Sequence, residues 1–581
     1  MFEDGVGPAR RATGSVPTGE KSPGAAPSRW WVLSDPCLRQ PDRARPEGSG
    51  RVHTGTSFMS APSSNITDRK AVLRSRRRLR MVWWATALGL ALVLLRSWHA
   101  FRDRTPGYRL EVRLPPNPSP AADFRAGFGR VRITPDLASG RPVYLAGFGR
   151  NRVAERIHDD LWAVACVLDD GDRRIGVVAL DAIGFFHDDV VRVRRRLPAE
   201  WRLDYVMICS THNHSTPDLL GLWGPRIWRS GVDPEYLERV RRACVEALGA
   251  AVESLRPARL VTHHLPCDPG GLVTDTRPPE VYDADLRILQ FLSPETGRTV
   301  GSWVNWGNHP ETPWSENRDV TADFCGVLRD ALEHGVRDGE VERLSAPGGV
   351  HLFLNGAVGG LMTTAPGVTV RDPWTERSWR EPSHEKSRAL GHQLAARIVP
   401  VLRAAEGGSG SKATIGVWAR TIEVRVTNWR YWLAGWLGVL DRGYVSWPPR
   451  VRSEVALLRV GDATVACVPG ELYPEIANGG VETPEGADFP GEPIEIPPLR
   501  EGMPGRLKLV VGLANDELGY LIPRTQWDER PPFTYGLSRA PYGEINSCGP
   551  DAAATVYRAL MALCREAAAQ GGDGNRTGSP R

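Results

Sequence analysis

Two histidines two residues apart, His212 and His214, follow an apolar run in MetIleCysSerThrHisAsnHisSerThrPro, residues 207–217. On an extended segment they face the same side, so one can ligate a metal while the other orients a ligand or a substrate carbonyl. The same spacing also suits a pair of hydrogen-bonded surface histidines at a strand end. Three further stretches share this grammar, an apolar run followed by a metal-capable or acidic side chain in a Gly/Pro-punctuated loop. His309 lies in TrpValAsnTrpGlyAsnHisProGlu (303–311), before a proline that restricts its backbone. Glu471 follows an apolar strand and a Pro-Gly turn in ValAlaCysValProGlyGluLeuTyr (465–473), a costly place for a carboxylate unless a cation or donors meet it. Tyr520 comes after an Asn-Asp-Glu loop in 512–523, where a tyrosine is equally at home in a core. His263 and His264, adjacent on a strand-like run near Cys267, point opposite ways and make a poor ligand pair.

Elements that must position these residues can be read from periodicity. Strands are expected over 175–180, 205–209, 286–292, 299–306, 351–354 and 508–513, an extended segment over 413–426, and a hairpin over 455–468 turning at Gly461-Asp462. Helices are expected over 233–255, with Asp233 as N-cap and Pro234 in the first turn, and over 322–333, 385–404 and 552–569. No internal repeat is evident. The pattern is α/β: one large mixed α/β catalytic domain, preceded by a single transmembrane helix and a disordered N-terminal tail. Trp429, Trp432, Trp436 and Leu440 recur at helical spacing. They read either as a core-facing helix or as an interfacial, acyl-binding element in which Trp432 and Trp436 present a lipid to the site.

The boundaries expected are a disordered region at 1–73, a basic flank and signal anchor at 74–100, a Pro-rich linker at 101–122, the catalytic domain at 123–570 and a polar tail at 571–581. The first region is rich in Pro, Gly, Ser and Arg and cannot bury enough surface to offset its ordering entropy. Arginines at 74, 76, 77, 78 and 80 precede the uncharged run MVWWATALGLALVLL (81–95). A core helix, a cleaved signal peptide and a signal anchor all fit a short apolar run. The anchor is preferred because residues 97–100 offer no small-x-small cleavage pattern, and it holds the arginines in the cytoplasm. The catalytic domain is then extracytoplasmic, and secreted if the segment is cleaved. A formal net charge of +5, from 73 basic and 68 acidic residues, argues against a nucleic acid partner. Nine cysteines without a CxxC pair argue against a zinc ribbon or a thioredoxin-like site, and leave a few long-range disulfides open.

The four stretches, in order, resemble the neutral/alkaline ceramidase family. ThrHisAsnHisSerThrPro is similar to its Thr-His-Thr-His-Ser-x-Pro, and AsnTrpGlyAsnHisPro to its Asn-Trp-x-x-x-His-Pro with one residue fewer. ProGlyGluLeu matches Pro-Gly-Glu-[Leu/Phe], and GlyLeuAlaAsn with the later GlyTyr matches Gly-Leu-[Ala/Ser]-Asn…x-Tyr. GlyArgValArgIleThrPro (129–135), AlaGlyPheGlyArg (146–150) and AlaLeuAspAla around Asp181 support it, and the likeness runs from about Phe124 to Ala569. It implies the N-terminal catalytic domain of a divergent member with one Zn²⁺ held by His212, His309, Glu471 and Tyr520. His214 would be its proton carrier or an oxyanion donor, and Tyr542, in ProTyrGlyGluIleAsn, a donor to the developing oxyanion. The implied activity is zinc-dependent hydrolysis of a linear amide, the N-acyl bond of ceramide-like lipids. The implied partners are a lipid or amide substrate and the membrane; protein partners are not indicated. The family's Gly-Asp-x-Ser-Pro-Asn serine falls on Met362 of AsnGlyAlaValGlyGlyLeuMetThrThr (355–364), which puts Met362 in the substrate-binding wall without a nucleophile. That departure keeps two alternatives open: a hydrolase of the same fold acting on another amide or ester, and a membrane-tethered, non-catalytic lipid-binding homologue. The family's additional C-terminal β-domain is expected to be missing.

Overall fold

The computed structural model describes residues 67–118, 123–360, 362–408 and 410–571. Most of the polar region expected at 1–73, and the tail expected at 571–581 beyond Gly571, lie outside the described residues. Helix α1 (Thr67–Phe101) takes the basic flank and the apolar run as one rod, extending the expected 74–100 segment in the N-terminal direction. Two hydroxyls of its C-terminal half bond back one turn, Thr86 Oγ1 to Val82 O and Ser97 Oγ to Val93 O, both at 2.8 Å, so neither is left unpaired in apolar surroundings. Among the described residues it is the one helix long and apolar enough to cross a membrane, over Arg76–Phe101. The residues after it differ from the expected spacer. Strand β1 (Glu111–Leu114) joins a sheet edge, and Asp103 pairs with Arg452 at 2.8 Å. The prolines that follow sit past an edge strand, where no ladder partner needs their missing N–H groups.

Three sheet units then repeat one plan. In the first, β2 (Arg125–Arg132), β3 (Trp162–Asp169) and β4 (Arg174–Leu180) are antiparallel, and β5 (Tyr205–Ser210) lies parallel to β4 after a crossover through α2 (His187–Arg194). Helix α3 (Pro234–Glu253), capped by Asp233 through the backbone N–H groups of Glu235 and Tyr236, packs on β2 and β3. The second unit has β6 (Arg259–Leu265), β7 (Leu286–Leu292) and β8 (Thr299–Trp306) antiparallel, then α4 (Asp323–His334), then β9 (Val350–Asn355) parallel to β8, closed by α5 (His384–Ala405). The third runs β10 (Ile415–Arg425), α6 (Trp429–Leu437), β11 (Arg450–Val460), β12 (Ala463–Cys467), β13 (Glu471–Leu472), β14 (Leu507–Val511), β15 (Tyr520–Leu521) and α7 (Ala552–Gly571). There β10, β11 and β12 are antiparallel, β14 is parallel to β12, and β1 extends the edge beyond β10. The strand order and pairing sense are the same in all three units, although the sequence shows no repeat.

The sheets meet in one core. Val177 and Met207 of the first, Leu289, Trp303 and Leu352 of the second, and Ile415, Val465 and Leu509 of the third belong to a single buried cluster. β8 and β9 bury nearly every residue, as parallel pairs covered on both faces must. Buried asparagines tie the strand ends together. Asn355 Nδ2 donates to Thr211 O (2.8 Å) and Asn308 O (2.9 Å), Asn305 Nδ2 donates to Val510 O (2.9 Å), and Asn515 Oδ1 accepts from Ile208 N (3.0 Å). All eight cysteines among the described residues are free and buried, so the disulfides left open by the sequence are not formed there.

Candidate metal centre and cleft

The loops leaving the C-terminal ends of the parallel strands converge, one pair from each unit. His212 follows β5, His309 follows β8, and Glu471 and Tyr520 begin β13 and β15. β13 and β15 form a two-residue parallel ladder in which Glu471 is the direct partner of Tyr520, so the carboxylate and the phenol stand side by side. His212 and His214 do reach one cavity, but not from an extended segment as expected. His212 adopts φ +66, a left-handed conformation costly for a residue with a Cβ, and its ring stands 5.1 Å from that of His214.

Each of the first two histidines has one nitrogen committed. His212 Nδ1 donates to Ile183 O and His309 Nδ1 to Met362 O, both at 2.7 Å. Both Nε2 atoms therefore face inward, and both meet Glu471 Oε2, at 3.3 Å and 3.1 Å. This orientation by backbone carbonyls is the arrangement that fixes the tautomer of a metal-ligating imidazole. The three imidazoles offer ligand atoms all within 4.8 Å of one another, and His212, His309, Glu471 and Tyr520 are buried. Two neutral imidazoles, a carboxylate and a phenol make a mixed N/O donor set that suits Zn²⁺. Burial pushes His212 down, but the Glu471 carboxylate outweighs it and raises its pKa to about 9, while Glu471 is held well below the usual carboxylate range. Without a cation, the carboxylate draws a proton onto the imidazole; a metal ion bound there would take the place of that proton.

His214 belongs to a second pair that the sequence reading missed. Its Nδ1 lies 3.0 Å from Glu311 Oε2, both side chains buried. Burial lowers His214 to about 4, against the pull of Glu311, while the imidazole holds Glu311 at about 2 despite burial. Arg152 donates to His214 O and Ala146 O, fixing the backbone beneath the ring. Gly147, at φ +95, packs so closely on His214 that a Cβ there would strike the ring. Glu517 was also missed. Burial first, then the Glu471 charge, lifts its carboxyl to about 8, and its Oε2 has no hydrogen-bond partner. Both glutamates lie inside stretches already singled out, at 303–311 and 512–523; the first was passed over for its neighbouring histidine, the second for the tyrosine.

Met362 does not line the cavity. Its side chain is buried with Val273, Trp306 and Phe353, its Sδ accepts from Asp283 N at 3.4 Å, and its carbonyl orients His309. The next residue, Thr363, turns a buried hydroxyl toward Glu311. Trp432 and Trp436 also lie off the cavity wall; α6 contributes Tyr431 to it instead. Tyr542 stands at the rim, 37% exposed, its ring 5.9 Å from that of Tyr520. His263 and His264 point to Gln290 and Asp285, opposite ways as expected. The cleft over the metal-capable cluster is lined with apolar side chains, among them Ile183, Phe186, Leu220, Leu440 and Tyr444.

No protein-family model matches the chain, and no curated protein matches it. Among solved structures it is similar to neutral ceramidase from Pseudomonas aeruginosa, at 16% identity and a TM-score of 0.56, over 77% of this chain and 75% of that one. A structure described as ceramidase complexed with C2 is similar at 15% identity, with a TM-score of 0.56 and the same coverage of both chains. The mixed α/β domain thus has the neutral ceramidase fold.

Proposed function

We propose that this protein is a membrane-anchored, zinc-dependent amidohydrolase that cleaves the N-acyl bond of ceramide-like lipids, releasing a sphingoid base and a fatty acid. The observation that carries this reading is the convergence of His212 Nε2 and His309 Nε2 on Glu471 Oε2, beside Tyr520, at the polar end of an apolar cleft. The neutral ceramidase fold supports it. His212, His309, Glu471 and Tyr520 would hold the metal, which when bound supplies Lewis acidity toward a carbonyl and acidifies a water. His214 takes the proton released in the attack and returns it to the leaving amine, and Glu311 steadies the imidazolium while it carries that proton. Tyr542, at the rim beside Tyr520, donates a hydrogen bond to the developing oxyanion. Apolar walls receive the acyl chain and keep water from the far end. Met362, buried behind His309, acts through its carbonyl; the hydroxyl in this region comes from Thr363.

The test is metal analysis together with fatty-acid release from ceramide, N-acyl amino acids and simple esters. One equivalent of zinc and preferential cleavage of ceramide are expected. Less than half an equivalent, unchanged in His309→Ala, removes the metal assignment, and cleavage of esters alone removes the amide one.

A further inference from the structure

We infer that α6 and the loop over 438–448 lie in the headgroup layer of the bilayer that α1 spans, so that the cleft receives its lipid from that same membrane. The second half rests on the proposed function; the first rests on geometry alone. Side chains of α1 between residues 81 and 95 are, Thr86 apart, apolar on every side and exposed, Trp83 by 70% and Trp84 by 76%, as in a helix surrounded by lipid. The foot of α1 is built into the domain. Trp436 Nε1 donates to Ser97 Oγ at 3.2 Å, and Ala100 is buried. Phe101 meets Tyr444 edge-on at 5.3 Å, and Arg104 pairs with Asp441 at 2.7 Å. Thr105 is enclosed between Arg452 and Asp188.

Length then places the domain. The uncharged run of residues 81–95 spans about 22 Å as a helix, short of the roughly 30 Å hydrocarbon core. The apolar layer must therefore continue to about residue 101, which is where α6 packs. The surface there is suited to it. Trp429 (43%) and Leu433 (41%) are exposed on α6, with Trp98 (64%) and Trp447 (73%) on either side of the helix foot. Tryptophans gather at the membrane–water boundary because an apolar ring and a polar N–H are both satisfied there. Arg102 and Arg430 lie over the Trp98 and Trp429 rings, ready for lipid phosphates. The same segments form the cleft wall, through Tyr431, Leu440, Arg442 and Tyr444. A wall fixed both to α1 and to the interface brings the cleft to the lipid without a soluble intermediate.

The experiment uses the full chain in liposomes of phosphatidylcholine with one-fifth phosphatidylglycerol. A fluorophore is placed at Leu433→Cys in a Cys37→Ser background, with Glu342→Cys, on the exposed Val341–Leu344 strand, as the control. Phosphatidylcholine brominated high on its acyl chains should quench the label at 433 at least threefold more than the control. Equal quenching at both sites overturns the inference, and so does concentration-dependent self-quenching at 433 without bromolipid, which would make this face a contact between copies. The Trp429→Ser/Leu433→Ser/Trp447→Ser variant should lose at least tenfold in hydrolysis of bilayer ceramide and stay within twofold on a monomeric short-chain amide. No loss, or an equal loss on both substrates, overturns delivery from the membrane. Quenching at 433 in a protein that cleaves neither substrate leaves the membrane contact standing and removes the proposed function instead.

Discussion

His309 and His214 stand within 5.5 Å of each other, ring to ring, yet their substitutions should separate cleanly. His309→Ala removes a proposed ligand and should lower bound zinc below half an equivalent. His214→Ala should keep the metal and lower kcat by about 10²–10⁴-fold, the usual contribution of a positioned acid–base group. Glu311→Gln removes the charge that steadies a protonated His214; zinc content should hold while kcat falls more than KM changes, read by metal analysis alongside fatty-acid release. The strand-then-turn grammar singled out His212, His214, His309, Glu471 and Tyr520 as candidates, and the family resemblance supplied their roles and added Tyr542. Glu311, Glu517 and Thr363 were not, since what marks them is burial beside a particular partner across the fold. The left-handed backbone of His212 was hidden for the same reason: no local pattern demands it, and only the packing that aims its Nε2 at Glu471 does.

At the scale of elements, α4 is held to β4 by a buried fork. Arg329 NH1 and NH2 donate to Asp181 Oδ1 and Oδ2 at 2.7 Å and 2.6 Å. Asp181→Ala strands a buried guanidinium and should cost about 3–5 kcal/mol, measured by denaturant unfolding, with the metal centre lost only as the fold is lost. Most helices and strands were legible from period and capping, including Asp233 at the start of α3 and the turn at Gly461. The segment 101–118 was not, because its docking depends on partners more than 300 residues away in sequence, Arg452 for Asp103 and 417–420 for β1. Composition reports that such a stretch is Pro-rich; it cannot report that a sheet edge is waiting for it.

At the scale of the molecule, three units of one topology share a core, and that repeat was invisible in the sequence. It resides in pairing order, which many sequences satisfy, and the crossovers between the third and fourth strands differ in length and content. The whole domain also carries buried acids. Burial lifts the carboxyls of Asp275 and Glu475 to about 7. Each binds its proton more tightly folded than unfolded, so the stability it contributes is complete below about pH 4 and is lost as pH rises through 7. The unfolding temperature should therefore fall between pH 5 and pH 8, and Glu475→Gln should flatten that fall; an unchanged slope would assign it to other groups. If the proposed metal is bound, chelating it should lower the unfolding temperature of all three units in one transition, because the proposed donors come from all three.

That distribution of donors also bears on how the protein is made. His212, His309, Glu471 and Tyr520 emerge in that order, and the β13–β15 ladder that seats the last two closes only after β14 has been laid down. A chain still being synthesised or threaded across a membrane holds two histidines and no carboxylate between them. On the proposed ligand set, metal loading would be a late event, completed on a nearly finished domain in the compartment where its third unit folds. On that reading a truncated or stalled product would be inert, and the proposed hydrolytic capacity would arise in a single step rather than growing with the chain.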